Sequence, residues 1–163
     1  LERPIDPRDT SGSLLSALAD DGAPLVLQVL QALANGQAVA TPQASEGISE
    51  APMLAVSDAK VDWNTSAVVI DRLIRGVTPA PGAWTTLAGA RLRLGPVELV
   101  DAPQLEPGEV LASKRQVLVG TADGVVALGQ VAPAGKKWMD AAAWARGARL
   151  SEHTVLGQEA EAN

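Results

Sequence analysis

Three features of this 163-residue sequence predict a mainly β fold, a small five-stranded barrel of the oligonucleotide-binding type with flanking helices. From Trp84 onward, apolar residues recur with a period of two and glycine-bearing turns interrupt them at short intervals. Asp123-Gly124 falls between two such runs and is the strongest hairpin signal in the chain. Ahead of the strands lies a helical segment apolar on nearly every side, which predicts a partner that the strands do not supply.

The elements follow in order. Asp9-Thr10-Ser11-Gly12-Ser13 opens a first helix carrying Leu14, Leu15 and Leu18, because short polar side chains accept hydrogen bonds from first-turn N–H groups. Gly22 ends that helix in this reading, and Pro24 starts a second where its missing N–H is no loss. Val26, Val29, Leu30 and Leu33 repeat at helical spacing, yet Leu25 and Leu27 fill the opposite side, and Asn35-Gly36 closes the run. One short neighbouring helix cannot cover such a surface, so residues 1–44 predict an absent sheet or domain. From Ala38 to Lys60 the chain turns irregular, with Pro42, Gly47 and Pro52 among Ser, Glu and Ala. Residues 45–60 read as a linker with a short extended piece at Met53–Val56.

Asn64-Thr65-Ser66 caps a third helix with an apolar stripe of Ile70, Leu73, Ile74 and Val77, leaving Asp71, Arg72 and Arg75 facing away. Thr78-Pro79-Ala80-Pro81-Gly82 stops it. Five strands are then expected at Trp84–Leu87, Ala90–Val100, Glu109–Ser113, Gln116–Thr121 and Val125–Ala132. Ala88-Gly89 makes a two-residue turn in which alanine is an awkward occupant of a positive φ. Gly120 and Gly129 inside strands mark bulges or tight bends. A short helix at Met139–Arg146 completes a barrel domain over 61–150, and 151–163 reads as a frayed tail.

Composition limits the chemistry. There is no Phe, Tyr or Cys, so Trp63, Trp84, Trp138 and Trp144 are the only aromatic side chains and thiol or disulfide chemistry is excluded. No apolar run approaches the roughly 18 residues of a membrane span, which predicts a soluble, cytoplasmic protein without membrane partners. The chain begins at Leu1 without an initiator Met, as an excised piece would. The net charge of −6 is uneven: residues 1–57 hold 2 basic and 7 acidic side chains, whereas residues 58–150 hold 11 basic and 9 acidic. The second stretch permits an oriented contact with nucleic acid; it does not make a strong sequence-independent binder.

No catalytic constellation is legible. Gly135-Lys136 fails as a phosphate loop, since Gly129 is one residue too far back and Lys137 stands where Ser or Thr would meet magnesium. There is no Gly-x-Ser-x-Gly elbow. The single histidine, His153, lies in the polar tail, and with no cysteine a zinc site is not expected. The candidates are basic. Lys136 and Lys137 follow a Pro-Ala-Gly turn and are either a phosphate-contacting loop or a solvated one. Lys114 and Arg115 at a hairpin tip carry the same two readings. Arg91 and Arg93 share a strand face, as backbone-contacting residues or as solvated exterior. Arg75 has Asp71 one helical turn earlier as an ion-pair partner, and Arg72 has none obvious. Trp84 and Trp138 are base-stacking platforms or packing anchors, while Trp63 and Trp144 read as packing.

In combination these pieces resemble the C-terminal part of bacterial methionyl-tRNA formyltransferases. The matching series is Leu1-Glu2-Arg3-Pro4-Ile5, Asp9-Thr10-Ser11-Gly12, Ala34-Asn35-Gly36, Ala59-Lys60-Val61-Asp62-Trp63, Arg72-Leu73-Ile74-Arg75, Pro79-Ala80-Pro81-Gly82-Ala83-Trp84 and Pro133-Ala134-Gly135-Lys136-Lys137-Trp138-Met139. The resemblance implies a two-domain enzyme. A Rossmann-like N-terminal domain binds 10-formyltetrahydrofolate and holds the catalytic Asn, His and Asp upstream of Leu1. A C-terminal barrel helps hold initiator methionyl-tRNA, whose amine takes the formyl group. It makes residues 1–44 the last helices of that Rossmann-like domain, with the catalytic domain as the missing partner. It also makes the basic residues Lys136, Lys137, Lys114, Arg115, Arg72, Arg91 and Arg93 the expected tRNA contacts, with no catalytic and no metal-binding residue on this chain. Relatives often carry lysines where this linker reads Met53-Leu54-Ala55-Val56-Ser57-Asp58, leaving Lys60 as its base. Two other readings share features: a sibling formyltransferase acting on a nucleotide-sugar amine, and a free-standing oligonucleotide-binding module. The lysine pair and the Asp-Trp helix entry favour the tRNA enzyme over the first, and the apolar helix speaks against the second.

Overall fold

A computed structural model describes residues 2–148, 150, 151 and 153–158. The chain divides into two compact units, Leu1–Met53 and Leu54–Asn163.

The first unit is dominated by one helix, α1 (Ser11–Ala34). Thr10 caps it, its hydroxyl accepting from the Ser13 N–H while the Ser13 hydroxyl accepts from the Thr10 N–H. Asn35 and Gly36 end it as expected, with Gly36 at φ 68°. The predicted break at Gly22-Ala23-Pro24 does not occur: Pro24 lies inside a continuous helix of 24 residues. Pro24 removes one hydrogen bond at a cost of about 3 kcal/mol, and the Leu- and Ala-rich turns on either side hold the helix across it. No residue of α1 is buried, and Leu15, Leu25, Val26, Leu27, Val29, Leu30 and Leu33 are all exposed. Fused in this way, α1 is long and apolar enough by length and composition to cross a membrane. Asp20 and Asp21 near its middle oppose that, since a carboxylate at a bilayer centre costs about 2.5–3.5 kcal/mol.

The second unit is built on two four-stranded antiparallel sheets. Their strands are β1 (Trp84–Leu87), β2 (Ala90–Leu94), β3 (Val97–Val100), β4 (Val110–Ala112), β5 (Val117–Gly120), β6 (Val125–Leu128), β7 (Gln130–Pro133) and β8 (Met139–Asp140). One sheet runs β1-β2-β7-β8 and the other β3-β6-β5-β4. The five expected strands are present, but no pairing among the described residues closes them into a barrel. Two of them instead divide between the sheets, at Gly95-Pro96 and at Gly129. Pro96 has no N–H for the ladder. Gly129 lets the two runs cross closely, since a Cβ there would lie 2.9 Å from the Pro96 carbonyl oxygen. Gly95 N–H donates to the Gln130 carbonyl at the crossing, 2.8 Å.

Helix α2 (Ala67–Gly76) packs on β3, and α3 (Ala141–Ala148) on β5, β7 and β8. Ser66 caps α2 through the Val69 N–H, as the sequence predicts, and Asp123 from the β5–β6 turn adds a bond to the Ala67 N–H at 2.9 Å. Ile70, Ile74 and Val77 are buried in the core with Leu92, Leu94, Val119, Val126 and Val131. The predicted closing helix begins two residues later, because Met139–Asp140 is spent pairing with β7 and the Asp140 carboxylate then caps α3. No strand forms at Met53–Val56; a single 3-10 turn, Ser57–Ala59, leads Ala59, Val61 and Trp63 into the core.

The stretch read as a frayed tail is held where it is described. Val110 N–H donates to the Thr154 carbonyl, Leu156 N–H to Gly108 and Gly157 N–H to Thr86, and Leu156 is 2% exposed. Its polar surroundings mask one apolar anchor and a set of backbone bonds. The remainder of that prediction, residues 152 and 159–163, lies outside the described residues.

Candidate nucleic-acid interface

The β1–β2 hairpin sets the geometry. Its two-residue turn holds Ala88 at φ 48° and Gly89 at φ 76°, so Leu87 pairs with Ala90 and Trp84 with Arg93. Strand alternation then sends Leu92 and Leu94 into the core and Arg91 and Arg93 to the outside. On that outer face each guanidinium lies on a tryptophan. Arg91 Cζ is 4.0 Å from the Trp84 ring centroid and Arg93 Cζ is 5.0 Å from that of Trp138. Lys60 Nζ lies 5.5 Å from the Trp84 centroid. The Trp84 indole N–H donates to the Val56 carbonyl, 2.7 Å, which fixes the ring. Contacts of this kind contribute about 0.5–1 kcal/mol each at exposed sites, and they hold the cations in place rather than free in solvent.

The turn after β7 joins the same face. Ala134 N–H donates to the Arg91 carbonyl, 3.1 Å, and Lys136 N–H to Pro133, 2.9 Å, around Gly135 at φ 71°. Lys136 and Lys137 are exposed, and Trp138 is 44% exposed. A pocket of about 240 Å³ opens beside them, with Pro79, Pro81 and Pro96 as walls and Arg93, Gln130 and Trp138 at its edges. The turn that bears Lys136 and Lys137 is therefore bonded to the strand that bears Arg91 and Arg93.

The other candidates are not part of this group. Lys114 and Arg115 are exposed at the tip of the β4–β5 hairpin, in the second sheet. Arg146 donates to the Lys114 carbonyl, 3.0 Å, which adds a third cation there. Arg72 is exposed on α2, and Arg75 bonds Asp71 at 3.0 Å as the helical spacing predicts. Trp63 and Trp144 are packing residues, 3% and 6% exposed. The Arg–Trp pairing was readable in part. Counting outward from a two-residue Ala88-Gly89 turn puts Arg93 opposite Trp84 and Arg91 on its diagonal. Nothing local signals that Trp138 meets Arg93, since that depends on β7 lying between them.

Among the described residues no group of three His, Cys, Asp or Glu side chains is placed to hold a metal, and His153 is exposed. The turn before α2 carries an electrostatic contact: the Asn64 backbone N–H, then its side-chain amide, bind the Asp62 carboxylate at 3.0 Å each and hold its pKa below the ordinary value. The 240 Å³ pocket is below the roughly 300–1,000 Å³ of sites for drug-sized ligands. The larger groove, about 500 Å³ around Lys60, Asp62 and Gln158, has Trp63 as its aromatic, and that ring is buried.

Comparison with known proteins gives concordant results. Residues 53–149 match the family described as "Formyl transferase, C-terminal domain". The chain is 53% identical over 157 residues to the methionyl-tRNA formyltransferase of Thermobifida fusca, covering 96% of this chain and 51% of that protein. It is 52% identical over 156 residues to the enzyme of the same name from a Nocardioides species, covering 94% and 49%. The chain thus spans about half the length of the curated relatives it matches. Among solved structures, a variant of HypX from Aquifex aeolicus superposes with a TM-score of 0.70 over 88% of this chain and 27% of its own, at 22% identity, a likeness of fold. HypX in complex with tetrahydrofolic acid superposes with a TM-score of 0.60 over 74% of this chain and 22% of its own, at 24% identity.

Proposed function

The chain belongs to the formyl transferase C-terminal domain family, and we propose that it is the tRNA-positioning half of a cytoplasmic methionyl-tRNA formyltransferase. In this reading the whole enzyme moves a formyl group from 10-formyltetrahydrofolate to the amine of initiator methionyl-tRNA, and the folate site and catalytic residues lie on the N-terminal domain. Residues 1–44 are then the terminal helical segment of that Rossmann-like domain, 45–60 the linker, and 61–150 a domain of oligonucleotide-binding type, with its two sheets as an open version of the expected barrel. The bare apolar surface of α1 is the face that lies on the catalytic domain.

One observation carries the tRNA role: Arg91 and Arg93 lie on the outer face of a sheet, each seated on a tryptophan ring, and the turn bearing Lys136 and Lys137 is bonded to the same strand. Cations preset in this way suit phosphate oxygens, which position an RNA without reading its sequence. Lys114, Arg115 and Arg146 at the second sheet are a further phosphate contact, and Arg72 an outlying one.

Two measurements test this. The chain supplied with 10-formyltetrahydrofolate and methionyl initiator tRNA should give no turnover. Binding to that tRNA should weaken steeply with salt, and Lys136→Ala/Lys137→Ala should flatten the log–log slope by about 1 per lysine. Turnover by the chain alone, or a slope unchanged by the double substitution, refutes the assignment.

A further inference from the structure

We propose that the pocket lined by Arg93 and Trp138 takes a single unstacked nucleobase of the bound RNA, with the flanking phosphates on Lys136 and Lys137. The inference rests on the reading of this face as an RNA contact and adds a specific subsite to it.

Trp138 is the anomaly that points there. Trp63 and Trp144 are buried, and the ring of Trp84 is tied down by its N–H and covered by Lys60 and Arg91. Trp138 is left 44% exposed in a chain that has no other aromatic type to fill its core. An indole left in water forfeits apolar burial, and this one does so on a turn braced by backbone hydrogen bonds beside a pocket. Arg93 lies over part of its ring, Cζ 5.0 Å from the centroid, and the planar guanidinium can itself carry a stacked base beside the indole surface left exposed. Base–aromatic stacking of this kind is sequence-tolerant, because every base offers a π-face.

The walls fit the same occupant. Pro79, Pro81 and Pro96 are stiff and uncharged, so the slot does not have to be ordered when it is filled. Gln130 at the rim offers both a donor and an acceptor to a base edge. The single charged side chain lining the pocket is Arg93, and no carboxylate lines it to repel a nucleotide. At about 240 Å³ the pocket suits a group of base size and is too small for a larger cofactor. Lys136 and Lys137, exposed and immediately before Trp138 in the chain, are the cations this subsite would use for the flanking phosphates.

The test compares an unstructured single-stranded RNA with a blunt RNA duplex of equal phosphate number, on the full chain. Trp138→Ala should weaken single-strand binding about tenfold and leave duplex binding within about twofold, with the salt slope unchanged. Trp138→Phe should restore most of the single-strand affinity, and Lys136→Ala/Lys137→Ala should weaken both ligands and flatten both slopes. Single-strand binding unmoved by Trp138→Ala, with the lysine effect intact, overturns the base pocket and leaves the RNA face standing. Loss of the lysine effect as well overturns both. A concentration-dependent dimer that Trp138→Ala abolishes would show a second copy in the pocket and also overturn the proposal.

Discussion

The indole N–H of Trp63 donates to the hydroxyl of Thr85 at 3.0 Å inside the core, where Trp63 is 3% and Thr85 0% exposed. The next residue, Thr86, is also buried, yet its hydroxyl oxygen has no partner among the described residues. Adjacent threonines thus have opposite energetics. Thr85→Val strands a buried N–H and should cost about 1–3 kcal/mol in denaturant unfolding. Thr86→Val replaces an unpaired hydroxyl with a methyl of similar shape and should be neutral or stabilising. Equal losses at the two sites would show that packing, not the hydrogen bond, sets the value of Thr85.

Glycine positions divide as sharply. A Cβ on Gly120 would stand 2.2 Å from the Glu106 carbonyl oxygen and 2.7 Å from that of Leu105, both rigid backbone. Gly120→Ala should therefore destabilise by more than about 2 kcal/mol or prevent folding. Gly135 has open space around it and needs only its positive φ, so Gly135→Ala should cost about 1 kcal/mol and Gly135→Asn less. Thermal unfolding of the three variants checks the order.

These contrasts show what was legible and what was not. Signals local to the chain read correctly: the Ser66 cap, the Ile70–Val77 stripe, the Asp71–Arg75 pair and the Ala88-Gly89 turn each depend on residues within a few positions. The failures are long-range. Gly22 and Pro24 look like a break because propensity ignores the strong helix formers on both sides. The strand splits at Gly95-Pro96 and Gly129 were visible as special residues, but only the crossing of the two runs makes them a division between sheets. Leu156 is anchored by Gly108, 48 positions away in sequence, and no local pattern announces it. At the interface, Arg91 and Arg93 were readable as sharing a face, whereas their tryptophan seats follow from register.

Acid should reveal the Asp62–Asn64 contact. Asn64 lowers the Asp62 pKa, so this contribution to stability is complete above the unfolded value, near 3.8, and is lost as pH falls through the folded value. Asp62→Ala should be less stable than the parent at neutral pH, and the gap should shrink as pH falls below about 3.8. A gap independent of pH would mean the carboxylate charge contributes nothing to the turn before α2.

The last prediction concerns α1. Its eight large apolar residues between Leu15 and Leu33 are 42–70% exposed, an area no stable monomer leaves bare without consequence. Because residues 1–53 and 54–163 are separate compact units, a chain beginning at Leu54 should unfold at the same temperature as the full chain, within about 2 °C. The full chain should self-associate at micromolar concentration in sedimentation, and the shortened one should not. Leu27→Glu/Leu30→Glu should abolish association while sparing RNA affinity, since neither residue belongs to the sheet face that carries Arg91 and Arg93. Association that survives both changes would locate the sticky surface on the second unit, where Leu99 and Leu111 are the exposed apolar candidates on the sheet strands, and would remove the physical argument that α1 is built to lie against a catalytic domain.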